Sequence, residues 1–188
     1  MFSSPPKNVY WFYGAATPEL KARKEFILHE DLPDSFESIP HNSVIILDDF
    51  MHEAKDHAGV TNLFTKLVHH KKLFVINITQ NFFLNSKDTR TRRLNTQYIV
   101  LFKNPSDATQ VHVIGRQMYP EAPKYLSDVN AKVTKHAHSY IFIDLRQETP
   151  MNYEFALEYY LRSIPCVYIN ESETCLMYYK HGKHEAVC

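Results

Sequence analysis

Short apolar runs separated by polar stretches constrain the fold of this sequence more than any other feature. Each run holds five or six residues: Asn8–Tyr13, Ser43–Leu47, Leu73–Ile78, Tyr98–Phe102 and Ser139–Asp144. Such runs are rich in β-branched and aromatic residues, which favour strands. Runs that are apolar throughout are typical of strands in a parallel sheet with both faces buried.

Helical patterns fill most of the stretches between these runs. We predict a helix from Ala16 to Leu28, because a Thr-Pro-Glu sequence near its start suits a capped first turn. Apolar residues at helical spacing predict a second helix over Thr61–Val68, and two more are predicted over Ser106–Met118 and Met151–Arg162. A polar segment rich in Arg and Asn precedes Tyr98. Strands that alternate with helices predict an α/β fold with a mainly parallel sheet.

The composition excludes several classes of protein. The chain has 188 residues, 44% of them hydrophobic, which is enough for the core of one ordinary domain. Lys plus Arg and Asp plus Glu both number 21, so any nucleic-acid contact must come from a local patch. Neither a membrane-spanning run nor a signal peptide is visible, and we expect an intracellular protein that is not secreted. The three cysteines match no zinc motif, which favours reduced thiols.

An acidic pair directly follows the second apolar run. Asp48 and Asp49 end the sequence VIILDDF, and ligands of parallel α/β sheets bind beyond the carboxyl ends of the strands. Asp48 is predicted to hold Mg²⁺ through its hydration shell, and Asp49 to orient and polarise an attacking water. A solvated turn is the alternative interpretation, because Asp is common in turns.

A glutamine occupies the matching place after the next run. Gln80 follows the sequence FVINIT, where an amide can contact both a terminal phosphate and the attacking water. Taken alone, it is more simply an ordinary loop residue. Together with Asp49 it predicts one polar crevice, provided that the two strands are neighbours.

Two histidine patterns are weaker candidates for metal sites. A zinc-protease helix needs histidines four positions apart, whereas His52 and His57 are five apart, so we reject that motif. His136 and His138 alternate and are able to share one face of an extended segment. Without a third ligand they are a poor metal site.

Several blocks of the sequence together resemble one known family. The blocks are LDDFM, VTNLFTKLVHHKKLFVINITQNFF, RTRRLNTQYIVLFKNPSD and GRQMYP, all within Val44–Pro120. In order and spacing they resemble the FtsK/HerA-like packaging ATPases of large DNA viruses and of virus-like transposons of the Maverick/adintovirus type. NVYWFYG and SYIFIDLRQETP extend the resemblance to about Lys7–Pro150.

The resemblance implies a P-loop NTPase core of the additional-strand type. Such proteins form homo-oligomeric rings that use ATP and Mg²⁺ to move double-stranded DNA into a capsid through a capsid or portal component, in the host cytoplasm or nucleus or on the virion. No membrane is implied. Asp49, Gln80 and Arg90 would be catalytic, with Arg90 reaching the γ-phosphate of a neighbouring subunit. Arg92 and Arg93 match no family role and are predicted to form a solvated basic turn.

One departure from the family is clear in the sequence. With four glycines, the chain has no G-x-x-x-x-G-K-[ST] phosphate loop. In the family, that loop and its strand precede the segment equivalent to Asn8, and the strand lies between those equivalent to Leu73–Ile78 and Tyr98–Phe102. We therefore expect residues 1–150 to be a partial P-loop ATPase core lacking the first strand, followed by a C-terminal helix and tail at 151–188.

Three explanations of this departure stay open: a fragment of a longer product, a truncated gene model, or a degenerate copy. The leading hypothesis for function is a subunit of an ATP-driven DNA-packaging motor. The alternative is a catalytically inactive remnant that acts as an interaction or assembly module. A helicase or a host AAA-like regulator would share the acidic strand end, but not the TQN and GRQMYP blocks.

Overall fold

The computed structural model describes residues 5–15, 17–50, 54, 56–83, 86–105, 108–135, 139–147, 155–157 and 174–178. The chain divides into two compact units. The first comprises Met1–Tyr98 with Tyr168–Met177, and the second comprises Ile99–Val167 with Tyr178–Cys188. The predicted boundary at residue 150 stays a prediction.

A four-stranded parallel sheet is the centre of the first unit. In spatial order its strands are β2 (Ile27–His29), β1 (Asn8–Tyr13), β3 (Ser43–Asp48) and β4 (Phe74–Thr79). Strand β8 (Thr174–Tyr178) lies on the other side of β4. The predicted α/β fold with a parallel sheet is confirmed for this unit.

The register of the sheet fixes where its polar ends lie. In the ladder, Asp48 is opposite Tyr13 of β1 and Ile78 of β4, so the three strands end at the same edge. Residues Ser43–Leu47 are all buried, and Asp48 is the first residue of β3 that is partly exposed. The sequence pattern of an apolar strand with an acidic end therefore becomes a buried strand that delivers carboxylates to one edge of the sheet.

The hydrophobic core of this unit lies between the sheet and the helical segment that follows β3. That segment runs as α2 (Ala58–Asn62), a π-helical stretch (Leu63–Leu67) and α3 (Val68–Lys71). The helix predicted over Thr61–Val68 is thus confirmed and extends further at both ends. Its apolar side chains pack on those of β1, β3 and β4 with Phe36, and the largest of these fully buried residues are Phe36, Phe64, Ile45, Leu47, Leu63 and Leu73.

The helix predicted from Ala16 to Leu28 is mostly wrong. The Thr17 cap and Pro18 start are present, but α1 covers only Pro18–Lys21. Ile27–His29 instead forms β2, which pairs with Tyr10–Phe12 of β1. The hydrogen bonds and side-chain contacts offered by the edge of β1 outweigh the helical propensity of this charged stretch, although its Ala, Leu, Lys, Arg and Glu residues are good helix formers.

Helix α4 (Lys87–Leu94) occupies the Arg-rich segment before Tyr98. Ser86 is its N-cap, and the Ser86 hydroxyl accepts a hydrogen bond from the Thr89 amide at 3.0 Å. Arg92 has 7% of its surface exposed and Arg93 is half-buried, so the prediction of a solvated basic turn fails for both residues.

In the second unit, β5 (Tyr98–Phe102), β6 (Tyr140–Asp144) and β7 (Phe155–Leu157) follow one another in the sheet order. Helices α5 (Thr109–Met118) and α6 (Tyr125–Val133) accompany them. They pack closely at Gly115, where an added Cβ would lie 3.0 Å from the Cβ of Leu126.

The predictions for this unit have mixed outcomes. Strands β5 and β6 and helix α5 are confirmed, whereas α6 was not predicted. Phe155–Leu157 pairs antiparallel with β6, which contradicts the helix predicted over Met151–Arg162 at those three residues. The rest of that range, together with His136 and His138, lies outside the described residues. Among the helices that the structure describes, none has the length and apolar character to cross a membrane.

Candidate functional site

The carboxyl ends of β3 and β4 bring two of the predicted residues into contact. The side-chain amide of Gln80 donates a hydrogen bond to Oδ1 of Asp49 at 3.2 Å. The contact arises because β3 and β4 are neighbouring parallel strands, as the expected shared crevice requires. It places a carboxylate and an amide side by side where ligands of parallel sheets bind.

The backbone holds Asp49 in an unusual conformation. Its φ of 61° lies in the left-handed region, which costs a non-glycine residue roughly 1–2 kcal/mol. The Asp49 amide donates to the Ile78 carbonyl at 3.4 Å, and the Gly14 amide donates to the Asp48 carbonyl at 3.0 Å. A Cβ at position 14 would lie only 3.0 Å from the Asp49 carbonyl oxygen, so the close approach of β1 requires glycine there. Both flanking strands therefore fix the direction of the Asp49 side chain.

Asp48 points to a different partner from Asp49. Its Oδ2 accepts a hydrogen bond from the indole Nε1 of Trp11 at 3.2 Å, and the indole ring packs on Phe26 with centroids 5.1 Å apart. The strand order explains the contact, since β1 lies directly beside β3. This bond could not be predicted from the sequence, because it depends on which strands are neighbours.

No metal site built from several protein ligands is found within the described residues. Among them, no group of three or more His, Cys, Asp or Glu side chains is placed to hold a metal. Mg²⁺ commonly keeps several waters and is bound by one or two carboxylates together with substrate phosphates. The binding of Mg²⁺ at Asp48 and Asp49 stays a prediction.

Arg90 lies apart from these residues. It is exposed on α4, and in the part of the chain that the structure describes its guanidinium makes no hydrogen bond or ion pair with Asp49 or Gln80. The structure thus brings Asp49 and Gln80 together, places Asp48 beside them, and does not bring Arg90 into the same group.

A small cavity between the end of β4 and α4 is a feature that the sequence did not predict. Its volume is about 30 Å³, and Asn77, Asn81, Thr89, Arg92 and Arg93 contribute polar groups to its wall. The helix brings its arginines here because Ser86 caps it directly after the β4 loop. The signal that was available in the sequence is this cap, with arginines placed one turn further along.

The two arginines at the cavity have different surroundings. Arg92 donates to the Asp88 carbonyl and to the Thr89 hydroxyl, and burial lowers its pKa against the opposing effect of Asp88 and Asp56. Arg93 lies over the ring of Phe83 at 4.7 Å and that of Phe82 at 5.7 Å. Burial, followed by the charge of Arg90, lowers the pKa of Arg93. Guanidinium groups remain protonated under all ordinary conditions, so both arginines are positively charged at this partly buried position.

Comparison with protein-family models, with curated proteins and with solved structures found no match to this chain.

Proposed function

We propose that this chain is part of an ATP-driven motor that translocates or packages double-stranded DNA, and that the crevice at the ends of β3 and β4 is its hydrolysis site. The observation that carries the proposal is the hydrogen bond between Gln80 and Asp49, at 3.2 Å, at the ends of neighbouring parallel strands. An acid and an amide in this arrangement are suited to holding one water molecule for attack on a terminal phosphate.

The roles follow from the environment of each side chain. Asp49 is exposed, and its carboxylate would accept the proton of the attacking water while Gln80 orients that water. Asp48 would balance the charge of a hydrated Mg²⁺ bound to the nucleotide, with Trp11 fixing its carboxylate. The ion would supply positive charge to the phosphate oxygens.

The proposed fold is a P-loop NTPase of the additional-strand type. Its support is the parallel order β1-β3-β4, the acidic end of β3 and the polar end of β4. A phosphate loop is not present among the 188 residues, and it would have to come from outside them. The DNA, the capsid or portal component and the homo-oligomeric ring are proposed from the sequence resemblance alone.

Phosphate release from Mg-ATP tests this proposal in a form of the protein that carries the phosphate loop. This chain alone should bind Mg-ATP no better than about millimolar and should be inactive, because the backbone amides and lysine that cradle phosphates are missing from these residues. Asp49→Asn should lower the rate by roughly the 10²–10⁴ typical of a lost general base. The matched control is Asp31→Asn, which removes the same charge from an exposed site in the same unit.

The outcomes separate the two candidate functions. Hydrolysis that Asp49→Asn abolishes and Asp31→Asn leaves unchanged supports a motor subunit. If the loop-bearing form releases no phosphate above the buffer rate at any nucleotide concentration, the inactive assembly module is the better description of this chain.

A further inference from the structure

The cavity beside β4 has both apolar and polar residues in its wall, and several of the polar ones carry hydrogen-bond donors. Besides the two arginines, its wall includes Asn77 and Asn81, and no acidic side chain is among the described residues that line it. The Asn81 side-chain oxygen accepts from the Phe83 amide at 2.9 Å, which leaves the NH₂ group of that side chain to face other partners. Neither asparagine uses its side-chain nitrogen in a hydrogen bond within the described part of the chain.

Arg93 adds a positive charge without a counter-ion. In the part of the chain that the structure describes, its guanidinium contacts only the rings of Phe82 and Phe83 and forms no ion pair. A cation–π contact stabilises the charge, but it leaves the N–H groups at the edge of the guanidinium without hydrogen-bond acceptors. An anion bound here would meet a guanidinium whose N–H groups form no hydrogen bond within the described residues.

We propose that this cavity is an oxyanion site for a terminal phosphate group, with Arg93 as its principal ligand and the amides of Asn77 and Asn81 as additional donors. The guanidinium fork matches the oxygens of phosphate in a bidentate arrangement. Arg92 donates hydrogen bonds to the Asp88 carbonyl and the Thr89 hydroxyl. It adds positive charge to the same wall of the cavity, but the proposal does not require it to contact the phosphate directly.

The number of ligand oxygens distinguishes the candidate ligands. The cavity, of about 30 Å³, is large enough to admit groups of the size of water, such as phosphate oxygens. A terminal phosphate presents three such oxygens to the donors, whereas a phosphodiester presents two. We therefore assign the site to inorganic phosphate or the terminal phosphate of a nucleotide, and the backbone of DNA is the competing ligand that the experiment tests. The identification of that terminal phosphate with the γ-phosphate of ATP rests on the proposed function, whereas the oxyanion chemistry does not.

Titration with inorganic phosphate, without nucleotide or Mg²⁺, tests the site directly. The side-chain amide signals of Asn77 and Asn81 in nuclear magnetic resonance spectra should shift with a saturable, millimolar dependence on phosphate, and not with chloride at the same ionic strength. Arg93→Gln keeps the stem that packs on Phe83 but loses the charge, so it should weaken binding at least about tenfold. Lys87→Gln removes the same charge from an exposed position on α4 and should weaken binding less than about twofold.

A second variant keeps the test decisive if Arg93→Gln does not fold. Arg93→Lys retains the charge but not the bidentate fork, and it should bind phosphate about threefold or more weakly than the parent chain with an unchanged overall spectrum. The proposal is overturned if Arg93→Gln binds phosphate as tightly as the parent chain, or if Arg93→Lys does so where Arg93→Gln does not fold. It is overturned as well if Lys87→Gln weakens phosphate binding as much as Arg93→Gln does, or if phosphate causes no saturable shift of the two amide signals. It is also overturned if short duplex DNA shifts the two amides more strongly than phosphate does.

Asp49→Asn separates this proposal from the proposed function. That variant removes a negative charge from the crevice and should leave phosphate binding intact or slightly stronger, although it abolishes hydrolysis. Phosphate binding in a loop-bearing form that does not hydrolyse ATP would support the oxyanion site and remove only its link to ATP. Hydrolysis that persists in Arg93→Gln together with normal phosphate binding would instead remove the oxyanion site and leave the hydrolysis site.

Discussion

At the scale of single residues, Asp49 combines backbone strain with an exposed, oriented carboxylate. Its left-handed backbone has a φ of 61°, and its side chain accepts from Gln80. Strain of this kind persists only where the surrounding structure fixes it, and it is common at functional sites. Here two backbone hydrogen bonds hold the conformation: the Gly14 amide donates to the Asp48 carbonyl, and the Asp49 amide donates to the Ile78 carbonyl. The conformation is thus a property of the sheet edge as well as of Asp49.

A pair of substitutions measures this strain. Asp49→Ala and Asp49→Gly both remove the carboxylate and its bond to Gln80, but only alanine retains a Cβ in the left-handed backbone. We expect Asp49→Gly to be more stable than Asp49→Ala by about 1 kcal/mol, because the relief of strain exceeds the added freedom of the unfolded glycine chain. Urea unfolding followed by circular dichroism gives the free energy of unfolding of each variant. Equal stabilities, or a more stable alanine variant, would show that the left-handed conformation carries no cost here.

At the scale of elements, helix α4 determines the position of every arginine discussed above. It has eight residues, short enough that its own hydrogen bonds barely maintain it, so its cap and its packing matter. The Ser86 hydroxyl satisfies the Thr89 amide, and Arg92 packs inward from the last turn. The cavity wall therefore depends on the N-terminus of this helix.

Removal of the cap should loosen α4 selectively. Ser86→Ala should cost about 1 kcal/mol and speed amide hydrogen exchange throughout Lys87–Leu94, because one helical N–H loses its acceptor. Ser86→Asp keeps an acceptor and adds a favourable charge at the positive end of the helix, so it should exchange as slowly as the parent. The matched control is Thr17→Ala, which removes the analogous cap of α1 and should leave exchange in α4 unchanged. Exchange in α4 that is insensitive to Ser86→Ala would mean that packing alone maintains the helix.

The same elements show which parts of the fold the sequence was able to predict. The strands β1, β3, β4, β5 and β6 follow from continuous apolar runs, since such runs have few alternatives to burial. Strand β2 is three residues long and follows a charged stretch, so only the free edge of β1 identifies it. Helix α4 has no apolar stripe, because its inward residue is Arg92, and periodicity therefore gave no sign of it.

The candidate site likewise contains contacts that were expected from the sequence and contacts that were not. The contact between Asp49 and Gln80 was expected because both residues follow strands that proved to be neighbours. The bond from Trp11 to Asp48 and the burial of Arg92 and Arg93 depend on tertiary packing, which residue spacing does not encode. Local sequence therefore predicted the residues at the strand ends, whereas the partners that orient them required the strand order.

At the scale of the whole molecule, the first unit contains all of the residues to which the proposed function assigns a role. Asp48, Asp49, Gln80 and Arg90 lie within Met1–Tyr98. Three of them gather at the ends of β3 and β4, whereas Arg90 is exposed and makes no side-chain bond to Asp49 or Gln80 in the described part of the chain. An exposed arginine outside its own crevice is suited to act on the site of another subunit, as the proposed ring requires.

Subunit mixing tests whether Arg90 acts on the site of a neighbouring subunit while Asp49 acts within its own. The experiment uses a form of the protein that carries the phosphate loop and assembles into a ring. Arg90→Ala should leave nucleotide binding by each subunit nearly intact but abolish turnover in the ring, because the guanidinium would stabilise transition-state charge across the interface. Asp49→Asn should abolish turnover from within each subunit. A mixture of the two variants re-forms some interfaces that join an intact Arg90 to an intact Asp49, so phosphate release should return to a measurable fraction of the parent rate. Rings of each single variant are the controls, and native mass spectrometry establishes that mixed rings have formed. If mixed rings form and remain as inactive as either parent, Arg90 does not act across the interface, and a structural role for its charge on α4 is the better account.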